Sequence, residues 1–144
     1  MIDVMRFFTL LAGLLVAAHA AVVPRIAAEE LAAQSEQIVH GAVVRGPQAA
    51  TITVSEPGGS LDGMNMRTSG TLPYTVGEDA VLFLYRTPIG YWRTVGGPQG
   101  KFMVSAQGRV YTDSHGMAFE GIPATDFLSR VRRLAAAHPY RGAR

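Results

Sequence analysis

Two histidines and one aspartate are the residues best suited to metal chemistry. Asp113 and His115 are two positions apart, so both would lie on one side of an extended strand, and His40 could approach from another strand. Imidazole nitrogen and carboxylate oxygen are common zinc ligands. Ser114 lies between them but would point away from both, whereas a catalytic triad is assembled by the fold. Because two or three such ligands do not specify a site, we expect a polar turn and no cofactor.

The glycine-rich segment 96–101 (GGPQGK) is only superficially similar to a phosphate-binding loop. Its glycine spacing is one residue short, and Phe102 stands where a Ser or Thr would bind magnesium. Pro98 also lacks the backbone N–H that such a loop uses. The segment therefore predicts a tight turn between two strands.

An aromatic and basic group at Tyr91, Trp92 and Arg93 is the candidate ligand-binding site. Aromatic rings beside a guanidinium group could form a platform on which a base or a sugar stacks. The alternative is that Trp92 belongs to the core or to its rim.

Two other charged groups are interpreted as solvent-exposed. Glu78 and Asp79 are adjacent and would lie on opposite sides of a strand, so they cannot work together as a general acid and base. Arg130, Arg132 and Arg133 fall mostly outside the apolar stripe of a predicted helix, and we expect them to face solvent rather than nucleic acid or lipid.

The composition indicates one ordinary domain. The chain has 144 residues, 48% hydrophobic and 17% charged, with a formal net charge of +2 and no cysteine. These values disfavour a disordered chain, a nucleic-acid partner, a disulfide scaffold and thiol catalysis. No H-E-x-x-H, G-x-S-x-G or G-x-G-x-x-G motif occurs, so we expect a protein that is not an enzyme.

Short apolar or alternating segments, separated by Gly and Pro, predict a mainly-β fold. Segment 80–85 is apolar on both faces and predicts the central strand. In segment 50–54, Ile52 and Val54 are expected to point inward. The other predicted strands are 38–44, 63–69, 91–95, 101–105 and 109–112. Their close spacing favours a small antiparallel barrel or sandwich.

A helix is predicted at each end of this β-rich region. Segment 26–34 is rich in strong helix formers, and the end of the chain carries one apolar stripe at helical spacing. The residues of that stripe are Phe127, Leu128, Val131, Leu134 and Ala135. The predicted division is 1–20 signal peptide, 21–36 lead-in helix, 37–122 β region, 123–137 helix and 138–144 tail.

The beginning of the chain has the pattern of a secretory signal. Residues 7–18 are an apolar run, and Ala18-His19-Ala20 is a cleavage motif of the A-x-A type. We expect export to the periplasm or the cell exterior, with no stable membrane span after cleavage. The alternative is an uncleaved N-terminal membrane anchor.

Blocks 35–43, 54–59 and 77–84 resemble a group of uncharacterised exported bacterial proteins. More distantly, the V-x-G-x-V pattern at 39–43 and the later strand at 77–84 resemble netrin-like modules. That resemblance implies an oligonucleotide/oligosaccharide-binding (OB-type) barrel. It also suggests inhibition or chaperoning of an exported protease. The zinc-chelating N-terminal cysteine of the netrin-like inhibitors has no counterpart here, so their mechanism is not carried over.

The chain departs from the exported group in one place. Those proteins carry a further strand pair between the positions of Gly46 and Ala50, where this chain has a short connection. The resemblance therefore leaves three alternatives: a reduced sandwich, a barrel completed by a partner strand, or a degraded family member.

Taken together, these patterns predict an exported, non-enzymatic module. We expect it to bind another exported protein through a sheet edge or the aromatic rim, and open edges would also allow a homodimer. The alternatives are a saccharide or small-ligand binding module and, after that, a metal-dependent enzyme.

Overall fold

Two helices and seven strands make up the part of the chain that the computed structural model describes, residues 24–46, 50–66, 72–113 and 119–142. They are α1 (Ala28–Gln34), β1 (Gln37–Ala42), β2 (Gly59–Leu61), β3 (Met64–Met66), β4 (Asp79–Arg86), β5 (Trp92–Thr94), β6 (Lys101–Val104), β7 (Val110–Tyr111) and α2 (Ala124–Ala137). The predicted signal peptide and the candidate ligand His115 lie outside the described residues.

Strand β4 is the centre of a five-stranded antiparallel sheet. Strand β1 pairs with one side of it, with Ile38 opposite Phe83. On the other side, β6 lies against the first half of β4 and β5 against the second half, and β7 pairs with the far side of β6. Strands β2 and β3 form a separate hairpin.

A 3-10 turn (Gly97–Gly100) interrupts what would otherwise be one strand running from β5 to β6. The N–H of Val95 still donates to Phe83 O at 2.8 Å, and Lys101 resumes the pairing opposite Leu82. A Cβ atom at Gly100 would overlap the carbonyl oxygen of Val95, so the turn needs glycine there. The structure thus places a turn where the glycine-rich segment predicts one.

One face of the sheet, here called the helix face, packs against α1 and α2. Phe83 and Phe102 from the sheet meet Phe127 from α2 and Phe119 from the loop before it. The Phe102 ring lies 5.0 Å from the Phe127 ring, centroid to centroid, and 5.7 Å from the Phe83 ring. These buried rings, joined by Leu31 of α1, form the main core.

The opposite face, here called the cover face, packs against two extended segments, 50–56 and 72–78, which we call the cover. Leu82 and Leu84 of β4 lie beneath Val54 and Tyr74 of the cover. Because both faces of β4 are buried, the strand is apolar on both sides, as the sequence predicts.

The predicted mainly-β fold with a helix at each end is confirmed, but within the described residues the sheet is open and does not close into a barrel. The strand predicted over 50–54 is extended, yet only Val54 pairs with a strand, through a bridge to Trp92. Ile52 was expected inward and is 41% exposed, because the cover here lies beside an open groove rather than a second sheet.

Candidate functional site

Two of the three outer edges of the sheet are covered by the chain itself. At β5, the N–H of Ser55 donates to Trp92 O at 2.9 Å, and the Glu56 carboxylate accepts the N–H of Thr94 at 2.9 Å. At β7, residues 121–123 provide main-chain partners. Covering edges in this way prevents unwanted pairing with other strands. The outer edge of β1 is the exception.

Strand β1 has an outer edge to which no described residue adds a strand. The N–H of Val43 donates to Glu78 O at 2.9 Å, in register with the pairing of β1 and β4. Since main-chain groups alternate in direction along an antiparallel strand, this bond identifies the residues that point away from β4. They are Ile38, His40 and Ala42. In the described part of the chain, their outward N–H and C=O groups have no hydrogen-bond partner.

Two grooves flank this edge, one on each face of the sheet. The cover groove, about 460 Å³, lies between β1 and the cover and is lined mainly by apolar side chains. The helix groove, about 440 Å³, lies between β1 and α2. Val39 and His40 line both grooves, so the open edge runs between them.

A buried ion pair anchors the wall of the cover groove. Lys101 of β6 is 1% exposed, and its Nζ lies 2.5 Å from Glu78 Oε1. The same Nζ donates to Pro73 O at 2.5 Å and lies 4.4 Å from the centroid of the Tyr74 ring. Because a buried ammonium group needs such partners, Lys101 holds the segment 72–78 against the sheet.

The Tyr74 hydroxyl connects the segment 72–78 to β5. Its oxygen lies 3.0 Å from Thr94 Oγ1 and 3.5 Å from Glu56 Oε1. Burial raises the pKa of Tyr74 to about 12; the negative charge of Glu56 also raises it, and the hydrogen bond with Thr94 opposes both. The phenol is therefore neutral at physiological pH, and its ring is a fixed part of the groove wall.

The structure does not bring Tyr91, Trp92 and Arg93 together on one face. Trp92 packs half-buried on the cover face, while Arg93 pairs with Tyr85 and lies on the helix face. Tyr91 is in the preceding turn and is 53% exposed. The guanidinium carbon of Arg86, 4.6 Å from the centroid of the Trp92 ring, takes the stacking position.

The candidate metal ligands are also apart from one another. His40 Nε2 lies 2.9 Å from Asp79 Oδ1, which makes a cross-strand pair, and Asp113 is exposed beyond β7. Among the residues that the structure describes, no three His, Asp or Glu side chains are grouped so that they could hold a metal ion.

The ion pair between Lys101 and Glu78 was not predicted from the sequence. Glu78 is predicted to be solvent-exposed, but its side chain is only 15% exposed, because it pairs with Lys101 between the sheet and the cover. Two patterns could have indicated this. Lys101 is the chain's single lysine and is the first residue of an apolar strand. Glu78 lies on the same face of an extended strand as the buried Ala80 and Leu82.

Within the described residues, neither helix has the length and apolar character that a membrane crossing requires. Compared with models of known families, with curated proteins and with solved structures, the chain matches none.

Proposed function

We propose that the protein binds an extended segment of another protein, which adds as a strand to the outer edge of β1. The observation that carries this proposal is the position of that edge, which presents main-chain groups that no described residue pairs, between two grooves. Strand addition derives its affinity from main-chain hydrogen bonds and its specificity from pockets for alternate side chains. The edge of β1 offers both.

The length of β1 suits this role. Its six residues direct the main-chain groups of three alternate positions outward, so an added strand would form up to about six hydrogen bonds. Each such bond contributes about 1 kcal/mol net. That total is enough for specific recognition only if side chains also contribute, and the two grooves can bind those side chains.

Alternate side chains of an added strand would enter the two grooves in turn, because successive residues of a strand point to opposite faces. One set would meet Leu82 and Tyr74 in the cover groove, and the other would meet Val131 of α2 in the helix groove. A recognised segment would thus have period-two patterning and no proline at its centre.

We also propose that the sheet is an incomplete OB-like barrel, in which the partner strand occupies part of the place of a missing strand pair. Supporting this, Gly46 and Ala50, the flanks of the short connection, both line the cover groove. The partner is expected to be another exported protein, including an exported protease, as the predicted signal peptide and the netrin-like resemblance suggest.

The test uses the full chain and a phage-displayed library of random dodecapeptides. We expect the enriched peptides to alternate apolar residues, and one of them is then synthesised for titration. His40→Pro removes one outward N–H while leaving the pairing with β4, since proline is tolerated at sheet edges. This substitution should weaken peptide binding at least about tenfold, because one main-chain hydrogen bond is lost and the proline ring hinders pairing of the added strand.

His40→Ala is the matched control, because both substitutions remove the imidazole and its pair with Asp79. The difference between the two variants reports the main-chain N–H. Amide hydrogen exchange gives a second readout: the peptide should slow exchange at Ile38, His40 and Ala42. The proposal is refuted if no peptide is enriched, or if peptides bind both variants equally. Loss of binding on Tyr91→Ala alone would assign the site to the aromatic rim instead.

A further inference from the structure

The helix groove has an apolar floor and a charged rim. Four residues of α2 line it, at positions i, i+3, i+4 and i+7 of one helix face. They are Leu128, Val131, Arg132 and Ala135. Val131 is 5% exposed and forms part of the floor, whereas Arg132 is exposed at the rim. A side chain entering this groove would therefore meet an apolar floor and a polar rim that includes Arg132, Glu36 and His138.

The positive charge of Arg132 is not neutralised by the described part of the chain. Among those residues, no carboxylate lies within 4.0 Å of its guanidinium group. Glu36 also lines the helix groove, but its carboxylate faces Arg86, with 4.0 Å between Oε1 and Nε. His40, at the edge itself, is paired with Asp79. Among the charged side chains that line the helix groove, Arg132 is thus the one for which no described residue supplies an opposite charge within 4.0 Å.

The end of the chain closes one side of the same groove. The N–H of Arg141 donates to Ala33 O at 2.8 Å, which returns the tail to α1 instead of letting it fray. Tyr140 consequently lines the groove, where its hydroxyl can donate a hydrogen bond. A guanidinium group and a phenol beside this apolar floor form a suitable environment for a carboxylate.

Resting on the proposed function, we propose that the segment which adds to β1 carries an Asp or Glu side chain that enters the helix groove and pairs with Arg132. The occupant is then an extended acidic segment of a partner protein. Its apolar residues face the cover groove, and its carboxylate is carried by one of the alternate residues that face the helix groove. Charge complementarity with Arg132 is the feature that selects this occupant.

The test uses the full chain and the dodecapeptide probes described above. We expect enriched peptides to share an Asp or Glu at a position that alternates with the cover-facing residues. Arg132→Glu should weaken such a peptide about tenfold, and a peptide with Lys in place of the acid should regain most of that loss. Arg133→Glu is the matched control, because it makes the same charge change on an adjacent residue that does not line the groove. Its effect should be below about twofold.

The outcomes separate this inference from the proposed function. If His40→Pro abolishes binding while the peptides show no acidic preference, strand addition holds and the charge inference fails. Equal effects of the Arg132 and Arg133 substitutions would also overturn it, because the charge would then act only at long range. Slow amide exchange at His40 in the unliganded protein would show that the edge is already occupied and would contradict binding of a partner protein there. A dimer with slow exchange identifies a second copy, and a monomer with slow exchange identifies a segment of the same chain.

Discussion

Replacing Lys101 with Met removes the buried ammonium group that holds the cover against the sheet. Methionine has nearly the same length and no charge, so the substitution leaves no large cavity. The substitution leaves the Glu78 side chain, which is 15% exposed, without the cation that neutralises its charge. It also leaves the carbonyl of Pro73 without its hydrogen-bond donor. Both groups would have to recover water or shift.

The expected magnitude follows from this geometry. Removing one partner of a buried ion pair costs about 3–5 kcal/mol. Because Glu78 keeps some contact with water, we expect the lower end of that range, about 3 kcal/mol. Glu78→Met should cost at least as much, since it leaves Lys101 charged at 1% exposure.

The double substitution Lys101→Met with Glu78→Met gives the sharper test. It replaces the pair by apolar side chains of similar volume, which is often close to neutral. The orphaned carbonyl of Pro73 still costs about 1 kcal/mol. We therefore expect the double variant to be more stable than either single variant. Arg86→Met is the surface control: it removes the ion pair with Glu36, 4.0 Å away, and the stacking on Trp92, and since each contributes about 1 kcal/mol or less at the surface, the total loss should stay below about 2 kcal/mol.

The assay is urea unfolding of the full chain, with circular dichroism as the readout and the m-value compared between variants. A Lys101→Met variant within about 0.5 kcal/mol of the parent would refute the anchoring role. Additive single effects in the double variant would refute the pairing itself.

Three further predictions concern the rest of the fold. Raising the pH from 10 to about 12 should lower the free energy of unfolding of the parent by about 1–2 kcal/mol, because Tyr74 ionises near pH 10 in the unfolded chain, whereas burial keeps its pKa at about 12 in the folded protein. Tyr74→Phe should lack this part of the pH dependence. Gly100→Ala should lower Tm by several degrees through overlap with Val95 O, while Gly41→Ala, whose Cβ would meet nothing, should not. Phe102→Ala should cost about 3–5 kcal/mol in urea unfolding, since three aromatic rings surround that side chain.

Local periodicity explains the parts of the fold that could be predicted from the sequence. An apolar run with turn residues on both sides predicts β4 within a residue at each end, because a run this short between two turns suits a strand buried on both faces better than a buried helix. The stripe of α2 likewise predicts the burial of Phe127 and Val131. Such features depend on neighbours in the chain, so sequence alone suffices.

The candidate site could not be predicted in the same way. The segment around Ile52 alternates like a strand, but alternation does not say whether a partner strand lies beside it, and in the described structure only Val54 is paired. Aromatic and basic residues adjacent in sequence suggested a platform, yet adjacent strand residues face opposite sides, so Arg86 from the neighbouring strand stacks on Trp92 instead of Arg93.

The central strand, the two helices and the mainly-β fold can all be predicted from the sequence alone, because each depends on the period of apolar residues along a short segment. Two features follow only from the tertiary structure: which strand has an edge that no described residue covers, and the meeting of Lys101 and Glu78 between the sheet and the cover. Both depend on pairings between residues distant in the chain, and a local pattern carries no information about which distant segment will be its neighbour.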